Sequence, residues 1–274
     1  MAAIEFNNQK MDAIIREARA CGASDIHISE GMQTRYRVHG RLVQAQTQYS
    51  ADETAELLQS MMNEKQKKHF ANGNDADFAI RTSDGCRQRV NVFRQQKKIA
   101  ATIRLLNSTI PTLEDLKMPT ILYKMAMEPR GLILVTGPTG SGKSTTLAAM
   151  IEHMNQNSDR HIITIEDPIE YVYESKQSLI HQREVGEDIT DFASAIRSAL
   201  REDPDVILVG EMRDYETIST ALLAAETGHL VLSTLHTTGA AQTVERIVDA
   251  CPTGGQNQVR AQLAGTLKGI VSQC

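Results

Sequence analysis

The sequence predicts an α/β protein of two domains, in which a smaller mixed α+β domain precedes a larger domain built on a mainly parallel sheet. Three observations lead to this prediction. The chain has 274 residues, which is too long for one ordinary domain. Its first part reads as helices followed by paired short strands. From Leu132 onward, apolar strands alternate with helical segments, as expected for a parallel sheet with helices on both faces.

The first domain is predicted to combine two amphipathic helices with two β-hairpins. Apolar residues at i, i+3, i+4 and i+7 predict the first helix, and Ser50 with Glu53 gives the second a capping-box start. One hairpin turns at His39-Gly40, and the other turns within the polar segment 94–98. The residues predicted to be buried on the helices are Met11, Ile14, Ile15, Ala18, Leu57, Leu58, Met61 and Met62.

A change of composition marks the expected domain boundary. From Asn107 to Met118 the chain is rich in Ser, Thr and Pro and shows no sustained periodicity, which is typical of a linker. We therefore predict a first domain over residues 1–107, a linker over 108–120 and a second domain over 121–274.

The second domain is predicted from its alternating elements. In chain order, the strands are 132–135, 162–165, 206–209 and 230–233, and the helices are 144–154, 192–200 and 217–225. Because α/β sheets bind ligands at the carboxyl ends of their strands, the residues that follow each strand are candidates for the site.

The glycine-rich segment after the first of these strands carries the most specific motif in the chain. Residues 137–144 satisfy G-x-x-x-x-G-K-[ST] between a strand and a helix, the context that a Walker A motif requires. In such a loop, backbone N–H groups surround the phosphates of ATP, Lys143 bridges the β and γ phosphates, and Ser144 offers its hydroxyl to Mg²⁺. The predicted ATP-binding residues are Gly137, Pro138, Thr139, Gly140, Ser141, Gly142, Lys143, Ser144 and Thr145.

Acidic residues and histidines flank the other strands of this sheet. Glu211 follows the third strand, where it can orient the attacking water or contact Mg²⁺; a helix N-cap or a surface acid is the alternative. Glu166 and Glu170 follow the second strand, where an acidic turn is the alternative. His236 follows the fourth strand and His229 precedes it, and an isolated histidine is more often structural. The clustering of these residues around the glycine-rich phosphate-binding loop of residues 137–144, the P-loop, favours a catalytic site.

A basic hairpin stands out in an otherwise acidic chain. Residues 87–104 contain six basic residues and no acid, whereas the whole chain has a net charge of −5. For Arg89, Arg94 and Arg104, positions on strands favour a surface that contacts ATP phosphates from a neighbouring domain or subunit. A solvated hairpin that protects a sheet edge is the alternative, and it is the preferred interpretation for the turn lysines.

The composition argues against several other classes of protein. Negative net charge, the absence of Trp and an aromatic content of 4% disfavour a nucleic-acid motor. The longest unbroken apolar runs have five residues, too short to span a bilayer. The first ten residues carry neither a basic nor an apolar leader region, so we expect a cytoplasmic protein.

Four motifs together resemble the secretion ATPases of type II and type IV systems, and the resemblance covers essentially the whole chain. Residues 24–29 with 37–40 look like the PAS-like N-terminal domain of that family. Residues 164–171 look like its Asp box, residues 199–214 its atypical Walker B motif and residues 227–238 its His box. Assembly-type members have a longer N-terminus and a tetracysteine zinc segment, so the resemblance favours the branch that retracts type IV pili.

The resemblance implies a RecA-like core in a homohexameric ATPase that docks on an inner-membrane pilus platform protein and reaches the membrane only through such partners. It implies that Glu211 is the catalytic glutamate and that Glu166 and Glu170 lie near the metal and water. It also assigns His229 and His236 to the His box, and it implies that arginines corresponding to Arg89 and Arg104 reach the nucleotide. Family members continue beyond the position of Cys274, so we expect the ATPase domain to be incomplete at its C-terminus.

Other functions remain open at this point. An accessory retraction paralogue and a type IV secretion relative share the motifs. A RecA-like nucleic-acid motor shares the core, and its ATPase activity would be stimulated by DNA or RNA. In a regulatory module, nucleotide binding rather than turnover would switch partners.

Overall fold

The computed structural model describes residues 8–82, 86–106 and 109–274. The chain divides into two compact units, Met1–Ser108 and Thr109–Cys274. The predicted boundary residue Asn107 lies outside the described residues.

The first unit is one antiparallel sheet with three helices. The helices are α1 (Gln9–Ala20), α2 (Ala51–Ser60) and α3 (Glu64–Ala71). The strands are β1 (Ala23–Ser29), β2 (Arg35–Val38), β3 (Arg41–Gln44), β4 (Ala76–Arg81), β5 (Arg87–Gln95) and β6 (Lys98–Leu105). Their order in the sheet is β3-β2-β1-β6-β5-β4, and every neighbouring pair is antiparallel.

One face of this sheet is buried under the helices. Alternate strand residues such as Ile26, Val90 and Ile103 are fully buried and join the apolar stripe of α1 in one core. All eight apolar residues predicted to be buried on α1 and around α2 belong to that core. The intervening strand residues therefore lie on the opposite face, which carries the polar side chains of the unit.

Local signals explain the helix starts and the hairpin turns. Ser50 and Glu53 form the predicted capping box of α2, and Asn63 and Gln66 form a second one at α3, a helix that we did not predict although this signal was present. Both hairpins have two-residue turns with positive φ, at His39-Gly40 and at Gln96-Lys97. The second turn is thus narrower than the predicted segment 94–98.

The second unit is one parallel sheet with helices on both faces. The strands are β7 (Gly131–Thr136), β8 (His161–Glu166), β9 (Leu179–Glu184), β10 (Val206–Val209), β11 (Leu230–Leu235) and β12 (Leu267–Ser272). The helices are α4 (Ile121–Ala126), α5 (Lys143–Asn157), α6 (Phe192–Ala199), α7 (Tyr215–Glu226), α8 (Ala240–Asp249) and α9 (Gln256–Thr266). The strand order is β12-β7-β11-β10-β8-β9, and every neighbouring pair is parallel.

Alternate residues of the central strands sort into two cores. Ile207 and Val209 pack with α6 to α9 on one face, whereas Val206 and Leu208 pack with α4 and α5 on the other. Both faces of β10 are therefore buried from solvent, which explains why this strand is apolar at every position.

Much of the predicted linker belongs to the second core. Leu113 is 2% exposed and lies in one cluster with Leu122 and Ala126, and Leu116 and Met118 pack against that cluster. Within the predicted linker 108–120, Leu113, Leu116 and Met118 therefore pack with the second unit. The segment is rich in proline and threonine, and its few buried apolar residues are too widely spaced to show a helix or strand periodicity.

Among the described residues, no helix combines the length and the apolar character needed to cross a bilayer.

Candidate nucleotide-binding site

The predicted site residues meet at the carboxyl edge of the parallel sheet. The glycine-rich loop leaves β7 and enters α5, and β11 lies between β7 and the strand β10 that precedes Glu211. Strand β8, which ends at Glu166, is the next neighbour of β10. Because the strands are parallel, all of these chain segments leave the sheet on one side.

Gly137 begins the loop in a place that leaves no room for a side chain. Its φ is 148°, and a Cβ atom would lie 2.3 Å from the backbone oxygen of Gln273 and 2.6 Å from the Oγ of Ser141. A glycine is therefore needed where the loop leaves β7 beside the residue that follows β12.

Lys143 at the start of α5 folds back over the loop. Its Nζ donates to the carbonyl oxygens of Gly137 at 2.9 Å and Pro138 at 3.0 Å. Burial lowers the pKa of the Lys143 ammonium, and the carboxylates of Glu170 and Glu211 oppose that change. These two acids thus lie close enough to Lys143 to act on it electrostatically.

The hydroxyl residues that follow Lys143 differ in their surroundings. Ser144 is exposed, whereas Thr146 is buried and accepts a hydrogen bond from Gln273 Nε2 at 2.7 Å. The Oγ1 of Thr145 lies 3.1 Å from the hydroxyl of Tyr171. Thr145 thereby connects the first turn of α5 to the loop between β8 and β9.

Glu211 is held at the end of β10. The Thr234 hydroxyl donates to the Gly210 carbonyl at 2.6 Å, which ties the chain at this point to β11. The Glu211 side chain is only 16% exposed, its Oε1 accepts from Arg213 Nε at 2.7 Å, and its Oε2 lies 3.8 Å from His236 Nε2. The residue that caps α7 is Asp214, so the structure does not support a helix N-cap role for Glu211.

Glu166 ends β8 in a partly buried position. Its Oε1 accepts hydrogen bonds from Thr164 Oγ1 at 2.6 Å and from Gln182 Nε2 at 3.2 Å. Burial raises the pKa of this carboxyl to about 7, although those two bonds and one from the backbone of Glu170 oppose the increase. A carboxyl group with this pKa is suited to exchange a proton near neutral pH.

The structure separates the two histidines of the predicted site. His236 follows β11 at the carboxyl edge, but His229 precedes β11, and its Nδ1 lies 3.0 Å from the Ala224 carbonyl at the end of α7. The six residues of β11 span about 20 Å at 3.3 Å per residue. Within one chain, His229 therefore lies at the amino edge of the sheet, away from the P-loop, and its catalytic role stays a prediction.

The three predicted arginines belong to the first unit, on β5 and β6. Arg89 and Arg104 are exposed and directly opposite each other in the strand register. Like charges in such a pair are unfavourable, and a salt bridge from Arg104 Nε to Asp25 Oδ1 at 3.1 Å compensates for one of them.

Arg94 has a local role in the same unit. Its guanidinium stacks on the ring of Phe70 at 3.9 Å, and its Nη1 donates to the Phe70 carbonyl at 2.6 Å. These contacts fix the end of α3 on the sheet, so the structure supports a packing role for Arg94.

Three participants at this edge were not among the predicted site residues. Arg213 contacts Glu211, Tyr171 contacts the P-loop helix, and Gln182 contacts Glu166. Arg213 and Tyr171 lie inside the motifs, whereas Gln182 lies on the unpredicted strand β9.

The donor set fits Mg²⁺. Ser144 and Glu211 offer oxygen atoms, and Mg²⁺ takes one or two protein oxygens together with phosphate oxygens and water. Within residues 8–82, 86–106 and 109–274 there is no group of three or more His, Cys, Asp or Glu side chains that could hold a metal alone.

Comparison with known proteins gives consistent matches. The family model described as "Type II/IV secretion system protein" matches residues 3–274. A twitching motility protein of Neisseria gonorrhoeae is 53% identical over 86% of this chain, and the type IV pilus retraction ATPase PilT of Pseudomonas aeruginosa is 49% identical over 92%. A crystal structure of the pilus retraction motor PilT with bound ADP matches with a TM-score of 0.91, at 49% identity over 96% of this chain and 77% of that one.

The chain spans 64% of the gonococcal protein and 74% of the Pseudomonas protein. The predicted α/β architecture is confirmed by the match to PilT, and the predicted resemblance to retraction ATPases is confirmed by the Pseudomonas relative and by the PilT structure. The chain belongs to the type II/IV secretion system protein family, and within it is similar to the retraction ATPases.

Proposed function

We propose that this chain hydrolyses ATP and that the protein powers type IV pilus retraction. One observation carries the proposal: the P-loop with Lys143 lies at the same sheet edge as Glu211 and Glu170, which act on Lys143 electrostatically, and Glu166 ends the neighbouring strand. Phosphoryl transfer requires chiefly positioning and electrostatic stabilisation, and this edge provides a cation, several acids and a glycine-rich loop that leads into the N-terminus of α5.

The residues have separate roles in the proposed reaction. The loop N–H groups and Lys143 bind the β and γ phosphates, after Lys143 exchanges its carbonyl contacts for phosphate oxygens. Glu211 orients the attacking water. Arg213 and His236 restrain the Glu211 carboxylate. Glu166 accepts the proton that the water releases, since its pKa of about 7 leaves much of it ionised at neutral pH.

Mg²⁺ would be held by Ser144, with Glu211 beside it, and when bound it neutralises charge on the phosphate oxygens.

The open face of the first unit fits a role in sensing the nucleotide. Arg89 and Arg104 are two exposed cations held directly opposite each other, and a bound phosphate would relieve their repulsion. We propose that they reach the γ phosphate from the same or a neighbouring chain, so that domain closure follows nucleotide state.

The proposed assembly follows from the family. The motor would be a homohexamer on the cytoplasmic face of the inner membrane, bound there through a pilus platform protein. The name of the Pseudomonas relative, a type IV pilus retraction ATPase, supports this assignment over a type II secretion role.

The test is ATP turnover of the wild type and three variants. Lys143→Ala and Glu211→Gln should each lower turnover by about 10²- to 10³-fold, because each removes a group that stabilises or assembles the transition state. Glu216→Gln is the matched control: Glu216 is an exposed acid of the same unit, paired with Arg197, and its loss should leave turnover unchanged. Normal turnover in Glu211→Gln would refute its assignment.

The same assay separates the alternatives. A nucleic-acid motor would be stimulated by DNA or RNA with a steep dependence on salt, and we expect no stimulation. A regulatory module would bind ATP but turn it over slowly under all conditions.

Deleting the gene in a piliated host and scoring twitching would distinguish a retraction motor from an accessory paralogue.

A further inference from the structure

One side chain on the edge strand β9 makes three hydrogen bonds to the proposed site. Gln182 lies beside Thr164 in the parallel register of β8 and β9. Its Nε2 donates to Glu166 Oε1 at 3.2 Å and to the Tyr171 carbonyl at 2.7 Å. Its Oε1 accepts from the backbone N–H of Tyr173 at 2.9 Å. Both ends of the Gln182 amide are therefore used.

These partners determine which way the amide points. The ionised Glu166 carboxylate and the Tyr171 carbonyl can only accept, and the Tyr173 N–H can only donate. A flipped amide would place its oxygen against two acceptors, and a glutamate would place a second carboxylate against Glu166. Only a glutamine at this position satisfies all three groups.

The anchored segment also carries the second acid of the site. Tyr171 directly follows Glu170, whose carboxylate acts on Lys143. The Tyr171 hydroxyl lies 3.1 Å from Thr145 Oγ1 in the first turn of α5. Gln182 therefore holds Glu166 through its carboxylate and Glu170 through the adjacent backbone.

We infer that Gln182 is a positioning residue for ATP hydrolysis, which orients the Glu166 carboxylate and fixes the loop that carries Glu170. The inference rests on the proposed function. Gln182 touches neither phosphate nor water in this scheme, so it acts on the reaction only through these two acids.

A pH-dependent readout follows from the surroundings of Glu166. The titratable groups that face it are Glu170 and Tyr173 from the loop and Glu184 of β9, which lies beside Glu166 in the strand register. Strands β8 and β9 also contribute the neutral donors Thr164 and Gln182. The two donors stabilise the ionised carboxylate. Without the Gln182 donor the pKa of Glu166 rises, so a rate that requires ionised Glu166 falls at a higher pH.

The experiment measures kcat and KM for ATP across pH 5.5–9 for the wild type, Gln182→Met and Gln182→Glu. We expect kcat to fall about tenfold in both variants, with KM within about threefold, since Gln182 itself makes no hydrogen bond to the P-loop. The acidic limb of the kcat profile should move up by about one pH unit in Gln182→Met and further in Gln182→Glu, which adds a negative charge.

Two further variants make the result decisive. His181→Gln changes the preceding residue, whose ring contacts His161 at 2.9 Å, and should leave kcat and its pH profile unchanged. Glu166→Gln should lose activity. If Glu166→Gln is inactive but both Gln182 variants keep the wild-type profile, or lose kcat without a shift, the inference is overturned and the proposed function survives. If Glu166→Gln is fully active, the proposed role of Glu166 fails as well. Should Gln182→Met not fold, the isosteric Gln182→Glu decides alone.

Discussion

The two sheets of this chain present polar residues in different places. The antiparallel sheet of the first unit has helices on one face only, so Arg89 and Arg104 occupy strand positions on the other face. The parallel sheet of the second unit is covered on both faces, and its central strand β10 is buried at every position. Its glycine-rich loop and Glu211 therefore lie beyond the ends of central strands, and Glu166 is the last residue of β8. The number of covered faces decides whether a polar group is placed within a strand or after it.

The contrast affects how each region tolerates change. A face of exposed side chains can lose one member with little effect on packing. At the crowded carboxyl edge of the parallel sheet, a substitution should disturb the packing, because backbone and side chains from several strands converge there. The following predictions test this difference, from the largest expected effect to the smallest.

Gly137→Ala should lower the free energy of unfolding by about 3 kcal/mol or more, because the added Cβ would lie 2.3 Å from the Gln273 carbonyl oxygen. Gly140→Ala is the matched control in the same loop: its φ is 84°, but no heavy atom lies within 4 Å of the added Cβ. It should cost only about 1 kcal/mol of backbone strain. Urea denaturation measures the free energy of unfolding of both variants. Equal losses of stability would show that the carboxyl edge of the sheet is not crowded at Gly137.

Arg104→Ala and Arg89→Ala should each lower ATP turnover by about 10²-fold. Of the two, only Arg104→Ala should cost stability, about 1 kcal/mol, because it removes the salt bridge to the largely buried Asp25. Arg89→Ala should even be slightly stabilising, because it removes a like-charge pair. Arg94→Ala should lose the Phe70 contacts and lower the free energy of unfolding by about 1–2 kcal/mol, but its ATP turnover should stay at the wild-type level. Turnover and thermal denaturation on the same preparations check this, and a catalytic loss in Arg94→Ala alone would reverse our assignment.

His229→Ala should have the smallest effect. It removes a contact with the end of α7, at a cost of about 1 kcal/mol, and should leave turnover within about twofold. The comparison variant is His236→Ala, at the opposite edge, which should lower turnover about tenfold by loosening Glu211. Lost turnover with unchanged stability in His229→Ala would indicate that the amino edge contributes to a site from outside its own chain.

Sequence patterns predicted the elements whose signals are local. The strand Val206–Val209 was predicted at its observed bounds because a strand buried on both faces is a continuous apolar run. The P-loop was predicted because its spacing is dictated by phosphate binding. Strand β9 was missed because it lies at the edge of the sheet, where its residues Leu179–Glu184 are mostly polar.

The sequence by itself determined the two-unit α/β architecture, the P-loop and the acids that follow β8 and β10, because each depends on neighbours along the chain. Only the tertiary structure decided which of these residues meet. It separated His229 from His236 by the length of one strand, gave Arg94 a packing role beside exposed Arg104, and brought Gln182 to Glu166. Those outcomes depend on strand order and register, which bring together residues that are distant in the chain and which no local pattern specifies.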